Sequence, residues 1–240
     1  MMLVYGHRGA KGIAPENTLA GFRHCLEAGV TRCELDLQLS LDEQLIVFHD
    51  NNLKRLTGRR GKVKHKTAAE LQHYSIRDTA LNWPTTCPIP TLAQLFACCA
   101  FDHWQLEVKP LSRKKSVIAI KAIARLVEQF ELQDRVTITS SSAQVLKAAQ
   151  HYAPHISRGL VAEYGWLDPI KTAMRYQCSL LALNWTLCTE QRTQKAKSAG
   201  LHLSVWTVNE PKLMLRLAQY EVDSLITDFP GLASATLGNY

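Results

Sequence analysis

Two carboxylates, Glu34 and Asp36, stand two residues apart in the run CELDLQLS, and a histidine, His49, ends the run LIVFH that follows it. Side chains alternate faces along a strand, so an extended 33–40 puts both acids on one face, about 7 Å apart. Carboxylates that close repel unless positive charge lies between them. The polar connection at Asp42, Glu43 and Gln44 is too short for a helical crossover, so 45–49 should return antiparallel and bring His49 roughly opposite Asp36. One hairpin would then carry two acidic ligands and one titratable imidazole.

Glu107 and Lys109 repeat the two-residue spacing at the end of another strand-like run, and His7 and Arg8 end the first, 3–7, in the turn GHRGAKG. That turn has neither the P-loop nor the dinucleotide spacing; its glycines instead let the backbone approach a ligand. Glu34, Asp36 and Glu107 offer three hard oxygen donors and no sulfur, a set that suits one divalent cation, Mg²⁺ or Ca²⁺. A hard cation, Arg8, Lys109 and two histidines together make a site for a phosphoester. The cations neutralise its oxygens, and one imidazole takes a proton while the other gives one. The competing reading makes Lys109 and Arg8 structural partners of these acids. Trp206 is either an aromatic cap on the core or a wall against substrate carbons. Asp228, two residues before Pro230, reads as fixing a turn. The other seven histidines (24, 65, 73, 103, 151, 155, 202) have no such company and read as surface or core residues.

The elements that must position these residues alternate. Strand 3–7 is followed by helix-start chemistry at Pro15, Glu16, Asn17 and Thr18, then by Leu19, Phe22, Cys25 and Leu26 at helical spacing and Gly29 as a stop. From Ile89 onward, helices at 91–100, 113–130, 143–151, 168–175, 189–199 and 210–220 separate strands at 104–109, 135–139, 157–161, 179–183, 203–206 and 224–227. Setting aside the returning arm 45–49, eight strands remain of nine. The pattern predicts an α/β fold, a (β/α)₈ TIM barrel with a small insertion after the second strand and its hairpin. The chain reads as a single domain, 1–240, with the insertion at 51–90; a capping box at Thr67 to Glu70 predicts a short helix there. In such a barrel the chemistry lies at the C-terminal ends of the strands, where the polar residues named above collect.

Composition narrows the partners. The hydrophobic content of 46% and charged content of 20% are those of an ordinary globular protein, and no apolar run approaches the roughly 20 residues of a membrane span. No cleavable signal precedes the first strand, so a cytoplasmic location without stable membrane association is expected. Seven scattered cysteines without a CxxC read as reduced thiols. The net charge of +7 favours anionic partners. The densest basic run, Arg59, Arg60, Lys62, Lys64, His65 and Lys66, has no interleaved aromatics and reads as a solvated loop, so no nucleic acid is expected. The oligomeric state is not legible.

His7-Arg8-Gly9, Pro15-Glu16-Asn17-Thr18, Glu34-x-Asp36, His49-Asp50, Glu107-x-Lys109, Trp206-Thr207-Val208-Asn209 and Thr227-Asp228-x-Pro230 together resemble the glycerophosphodiester phosphodiesterase family, in the family's order and over nearly the whole chain. The resemblance implies a distorted TIM barrel that hydrolyses small anionic glycerophosphodiesters to glycerol 3-phosphate and an alcohol. It implies His7 and His49 as the acid/base pair, Glu34, Asp36 and Glu107 as metal ligands, and Arg8 and Lys109 as phosphate binders. Arg55-Leu56-Thr57 departs from the family's Arg-Thr-Thr, and Ser141 stands where an aromatic is common; both bear on leaving-group preference. Two other functions fit the residues: a lipid-directed phospholipase-like or lyase relative, which calls for an apolar patch at the mouth, and a non-catalytic phosphodiester-binding protein.

Overall fold

β1 (Leu3–His7) leads through α1 (Leu19–Glu27) to β2 (Arg32–Leu39), from which β3 (Leu45–Val47) turns back. The next stretch holds α2 (Lys54–Thr57), α3 (Ala68–Gln72), β4 (Ser75–Ile76) and β5 (Cys87–Pro88). Regular alternation follows, with α4 (Leu92–Cys98), β6 (His103–Val108), α5 (Arg113–Gln129), β7 (Val136–Ser140), α6 (Ala143–Tyr152) and β8 (Ser157–Ala162). It continues with α7 (Pro169–Arg175), β9 (Leu180–Asn184), α8 (Glu190–Ser198), β10 (His202–Trp206), α9 (Pro211–Gln219), β11 (Ser224–Thr227) and α10 (Pro230–Leu237). This computed structural model describes residues 2–77, 83–165 and 167–238.

β1 pairs in parallel with β2 on one side and β11 on the other, and β2, β6, β7, β8, β9, β10 and β11 pair in parallel in turn, which closes an eight-stranded ring. The fold is the expected TIM barrel. The strands are set by apolar runs and the helices by caps and stripes. Thr91 and Gln94 form a capping box at the start of α4, Asp168 caps α7, and α5 buries Ser116, Ala119, Ile120, Ile123 and Val127 on one face. α10 goes beyond the expected elements; its opening Pro230 suits a first helical turn, which needs no N–H.

The hairpin exists because β1 leaves β2 early. Their pairing ends at His7 opposite Glu34, so the upper edge of β2 is free, and β3 takes it with Leu37 opposite Val47 and Leu39 opposite Leu45. The expected pairing of His49 with Asp36 is corrected by one residue. The Phe48 N–H donates to the Asp36 carbonyl at 3.0 Å, so Phe48 stands across from Asp36 and His49 lies one residue further along the arm, still lining a cavity beside Asp36. Phe48 and Ile46 are buried with Leu53, Leu56, Val63 and Leu71 of the stretch that follows. The predicted insertion at 51–90, of which 78–82 lie outside the described residues, thus builds its small core on the returning arm. We propose to regard it as part of the barrel's domain for that reason. Its Thr67–Glu70 capping box forms as expected.

The apolar core lies between strands and helices, in one cluster centred on Phe22, Phe101 and Trp104 and another on Leu181, Leu203 and Leu225. The barrel interior is polar instead. Gln105 reaches Ser204 at 3.2 Å and Tyr5 reaches His103 at 3.1 Å, each between strands that are not neighbours, so the bonds cross the ring's interior. His103 and His202, expected to be bland, belong to this floor. His103 also meets Thr137, and His202 meets Ser224 at 2.8 Å.

Candidate active site

Above the polar floor, at the C-terminal ends of the strands, lies a cavity of about 320 Å³, within the range of small-molecule sites. His7, Arg8, Glu34, His49, Glu107, Lys109 and Trp206 line it. The eighth expected site residue, Asp36, is just behind, buried and joined to Arg8 and Lys109. Seven positions scattered between residues 7 and 206 therefore share one chamber.

Both histidines are held the same way. His7 Nδ1 lies 2.6 Å from Asp228 Oδ1, and His49 Nδ1 lies 2.7 Å from Asp50 Oδ1. Asp228 and Asp50 are both held down to about 2, so they are carboxylates that only accept. In each, burial works against the charge and is outweighed, at Asp228 by the His7 bond and at Asp50 chiefly by Arg55. Nδ1 is consequently the protonated nitrogen when the imidazole is neutral, and Nε2 is the position left to exchange a proton. For His7 that nitrogen is 3.8 Å from Glu34 Oε2. Burial, opposed by Asp228, draws the His7 imidazolium below its ordinary value.

The acids form the second half. One oxygen from each of Glu34, Asp36 and Glu107 lies within 4.8 Å of the others. Asp36 is the best neutralised of the three: Lys109 Nζ lies at 2.6 Å, Arg8 Nε at 3.0 Å and the Asn17 amide at 2.8 Å. Burial alone would raise its carboxyl, and Lys109 and Arg8 hold it well below the usual range. Lys109 also reaches Glu107 at 2.8 Å. Among the described residues no lysine or arginine lies within ion-pair distance of Glu34; burial first, then Asp36 and Glu107, push its carboxyl far above the usual range against the weaker pull of Arg8 and Lys109. The trio is therefore short of positive charge. Three hard oxygen donors around a buried, under-neutralised Glu34 fit a small divalent cation, which would keep all three deprotonated.

Local sequence explains the placement. A Cβ on Gly6 would lie 2.2 Å from the Gly9 carbonyl, and Gly9 has φ +87°, so the turn after β1 needs glycine at both positions. Arg8 itself adopts φ +51°, which turns its N–H toward Glu34 at 3.4 Å while the guanidinium reaches Asp36 and Glu16. On β2, Gln38 shares the face of Glu34 and Asp36. Its amide donates toward the carbonyls of Phe48, His49 and Asp50 at 2.9, 3.0 and 2.7 Å, clamping the returning arm. The Trp206–Thr207 peptide at the top of β10 is cis.

Several supporting residues went unread in the sequence. Of Glu16, Asn17 and Thr18 only Thr18 caps α1, accepting from the Gly21 N–H. Glu16 receives both Arg8 and Arg55, and Asn17 holds Asp36. One helix start needs one capping side chain, so two further polar residues beside it were the available signal. Asp228 does more than fix a turn: its Oδ2 accepts from the Asn209 amide at 2.8 Å while Oδ1 serves His7. Asp50 and Arg55 complete the set, with Arg55 bridging Asp50 and Glu16 at 2.7 and 2.8 Å.

Residues 7–232 match the Glycerophosphoryl diester phosphodiesterase family. The chain belongs to this family. A glycerophosphodiester phosphodiesterase of Caldanaerobacter subterraneus subsp. tengcongensis is 28% identical over 95% of this chain and 94% of that one. The structure of an Oleispira antarctica phosphodiesterase, in complex with the product sn-glycerol-3-phosphate, superposes with a TM-score of 0.91 at 26% identity, covering 98% and 96% of the two chains. A human lysophospholipase D is 31% identical over a shorter stretch, 52% of this chain and 40% of that one. The family and the closed barrel place this chain among the glycerophosphodiester phosphodiesterases.

Proposed function

We propose that this protein hydrolyses small, water-soluble glycerophosphodiesters to glycerol 3-phosphate and an alcohol, using one divalent cation, Mg²⁺ or Ca²⁺, held by Glu34, Asp36 and Glu107. The observation that carries the reading is the pair of histidines, His7 held by Asp228 and His49 held by Asp50, lining one chamber beside an under-neutralised carboxylate trio. When bound, the cation would supply charge that neutralises phosphate oxygens. Arg8 and Lys109 line the same chamber and offer the phosphate their own charge. With Nδ1 anchored, each imidazole works through Nε2. One takes the proton from the attacking oxygen, whether water's or the glycerol hydroxyl's, and the other returns a proton to the departing alcohol oxygen; in the second case water then opens the cyclic phosphate to glycerol 3-phosphate. Trp206 lines the wall where substrate carbons would pack. The named product in the Oleispira neighbour supports the same substrate class. The reading carries a cytoplasmic location; among the described residues no helix is long and apolar enough to cross a membrane.

The test is release of glycerol 3-phosphate from glycerophosphocholine and glycerophosphoethanolamine, before and after exhaustive chelation. Activity should vanish with chelator and return with Mg²⁺ or Ca²⁺; turnover indifferent to chelation sinks the metal assignment. Replacing His7 or His49 with Ala should collapse kcat by about 10²–10⁴ with substrate affinity far less changed. A substrate with a good leaving group should rescue only the variant that lost the general acid, which assigns the two roles.

A lipid-directed reading has one observation in its favour. Tyr164 and Leu167 after β8, and Trp185 after β9, are 61, 73 and 41% exposed at the barrel's mouth end. Activity on lysophospholipid vesicles exceeding that on the soluble diesters would select it.

A further inference from the structure

The basic run of the insertion borders a cavity of its own. A second hollow, about 470 Å³, opens between the insertion and the loop after β6, lined by Gln38, Asn51, Lys62, Lys64, Ser112 and Lys115 among others, and by no carboxylate. Lys109 lines both this hollow and the catalytic chamber. Val63, fully buried against the returning arm, pins the chain between Lys62 and Lys64, and both lysines line the hollow. Among the described residues neither of these two lysines has a carboxylate within ion-pair distance, whereas Lys115 meets Glu43 at 3.1 Å and Lys66 meets Glu70 at 2.8 Å. Ser112 is the N-cap of the 17-residue α5, so that helix's positive end adds to the field.

Several positive charges, a donor amide at Asn51 and no acid in the lining make a recess for a compact oxyanion. Lys109 is common to the two linings, so the recess adjoins the catalytic chamber. We propose that this recess binds a second phosphate, carried on the alcohol of the glycerophosphodiester being cleaved, so that diesters of phosphorylated alcohols are preferred over those of neutral ones. The proposal rests on the phosphodiesterase reading above. It gives the unpaired part of the insertion's charge a use that the catalytic chamber alone does not.

Two measurements test it. Competitive acetylation of the intact protein, read by mass spectrometry, should show inorganic pyrophosphate slowing modification of Lys62 and Lys64 about fivefold, relative to exposed Lys171 and Lys212 on α7 and α9. Equal slowing at all four, or none, overturns the site. In turnover, the K62Q/K64Q variant should lose about tenfold of the wild-type kcat/KM preference for a diester with a phosphorylated alcohol over one with a neutral alcohol, with the neutral substrate unaffected. An unchanged preference, no preference in the wild type, or equal loss on both substrates overturns the proposal. If no diester is turned over, the phosphodiesterase reading fails by itself, and the acetylation pattern still decides whether the recess holds phosphate.

Discussion

At the scale of single residues, each imidazole is defined by the acid behind it. Asp228 accepts from His7 on one oxygen and from Asn209 on the other. An asparagine at 228 cannot do both: it must turn its amide toward either His7 Nδ1–H or the Asn209 amide, and a donor facing a donor drives one of them away. D228N should therefore lower kcat by about 10²–10³ with KM little changed, by freeing His7 to take the wrong tautomer. The check is the pH dependence of kcat/KM, whose His7 limb should shift or disappear in the variant; a parallel profile at reduced amplitude would make Asp228 structural only. Arg55 shows the same economy. Its departure from the family pattern lies in the neighbouring Leu56, which is buried in the insertion's core, while Arg55 itself keeps its bonds to Asp50 and Glu16.

At the scale of elements, the hairpin is the piece that could fail independently. β3 is three residues long, and past it the arm carrying His49 is held by one main-chain bond to Asp36, by the Gln38 amide, and by Arg55 across to Glu16. Q38A removes the amide without touching the chamber's charge. It should cost about 1–2 kcal/mol of stability and lower kcat about tenfold with a small change in KM, measured by urea unfolding and steady-state kinetics. Unchanged kcat at reduced stability would show that the arm keeps its place without Gln38. The hairpin was legible in outline, because alternation and a short polar connection define it locally. The one-residue offset at His49 was not, since register depends on where β1 abandons β2 and on the insertion core in which Phe48 is buried.

At the scale of the whole molecule, the polar floor makes the barrel acid-sensitive. Burial first, then Arg32 and His202, lower His103 to about 4, against about 6.5 in the unfolded chain. A histidine whose folded value is depressed contributes stability present above its unfolded value and lost as pH falls toward the folded one. The barrel should thus lose roughly 2–3 kcal/mol from this group between about pH 6.5 and 4. Urea midpoints at pH 7 and 4.5 should differ less in H103N than in the native protein; equal differences would remove His103 from that role. Read as a sequence, the chain by itself determined the barrel and named the seven residues that line its candidate chamber. Strand–helix alternation, caps and two-residue acid spacings are local patterns, and the order of strands dictates which ends share a mouth. The tertiary structure decided the partnerships. Asp228 meets His7 across 221 residues, Glu16 meets Arg55 across 39, and Lys62 and Lys64 reach a recess beside Lys109. Closing a ring brings residues distant in the chain to neighbouring strands, and the distances and charges that then tune each side chain exist only once it has closed.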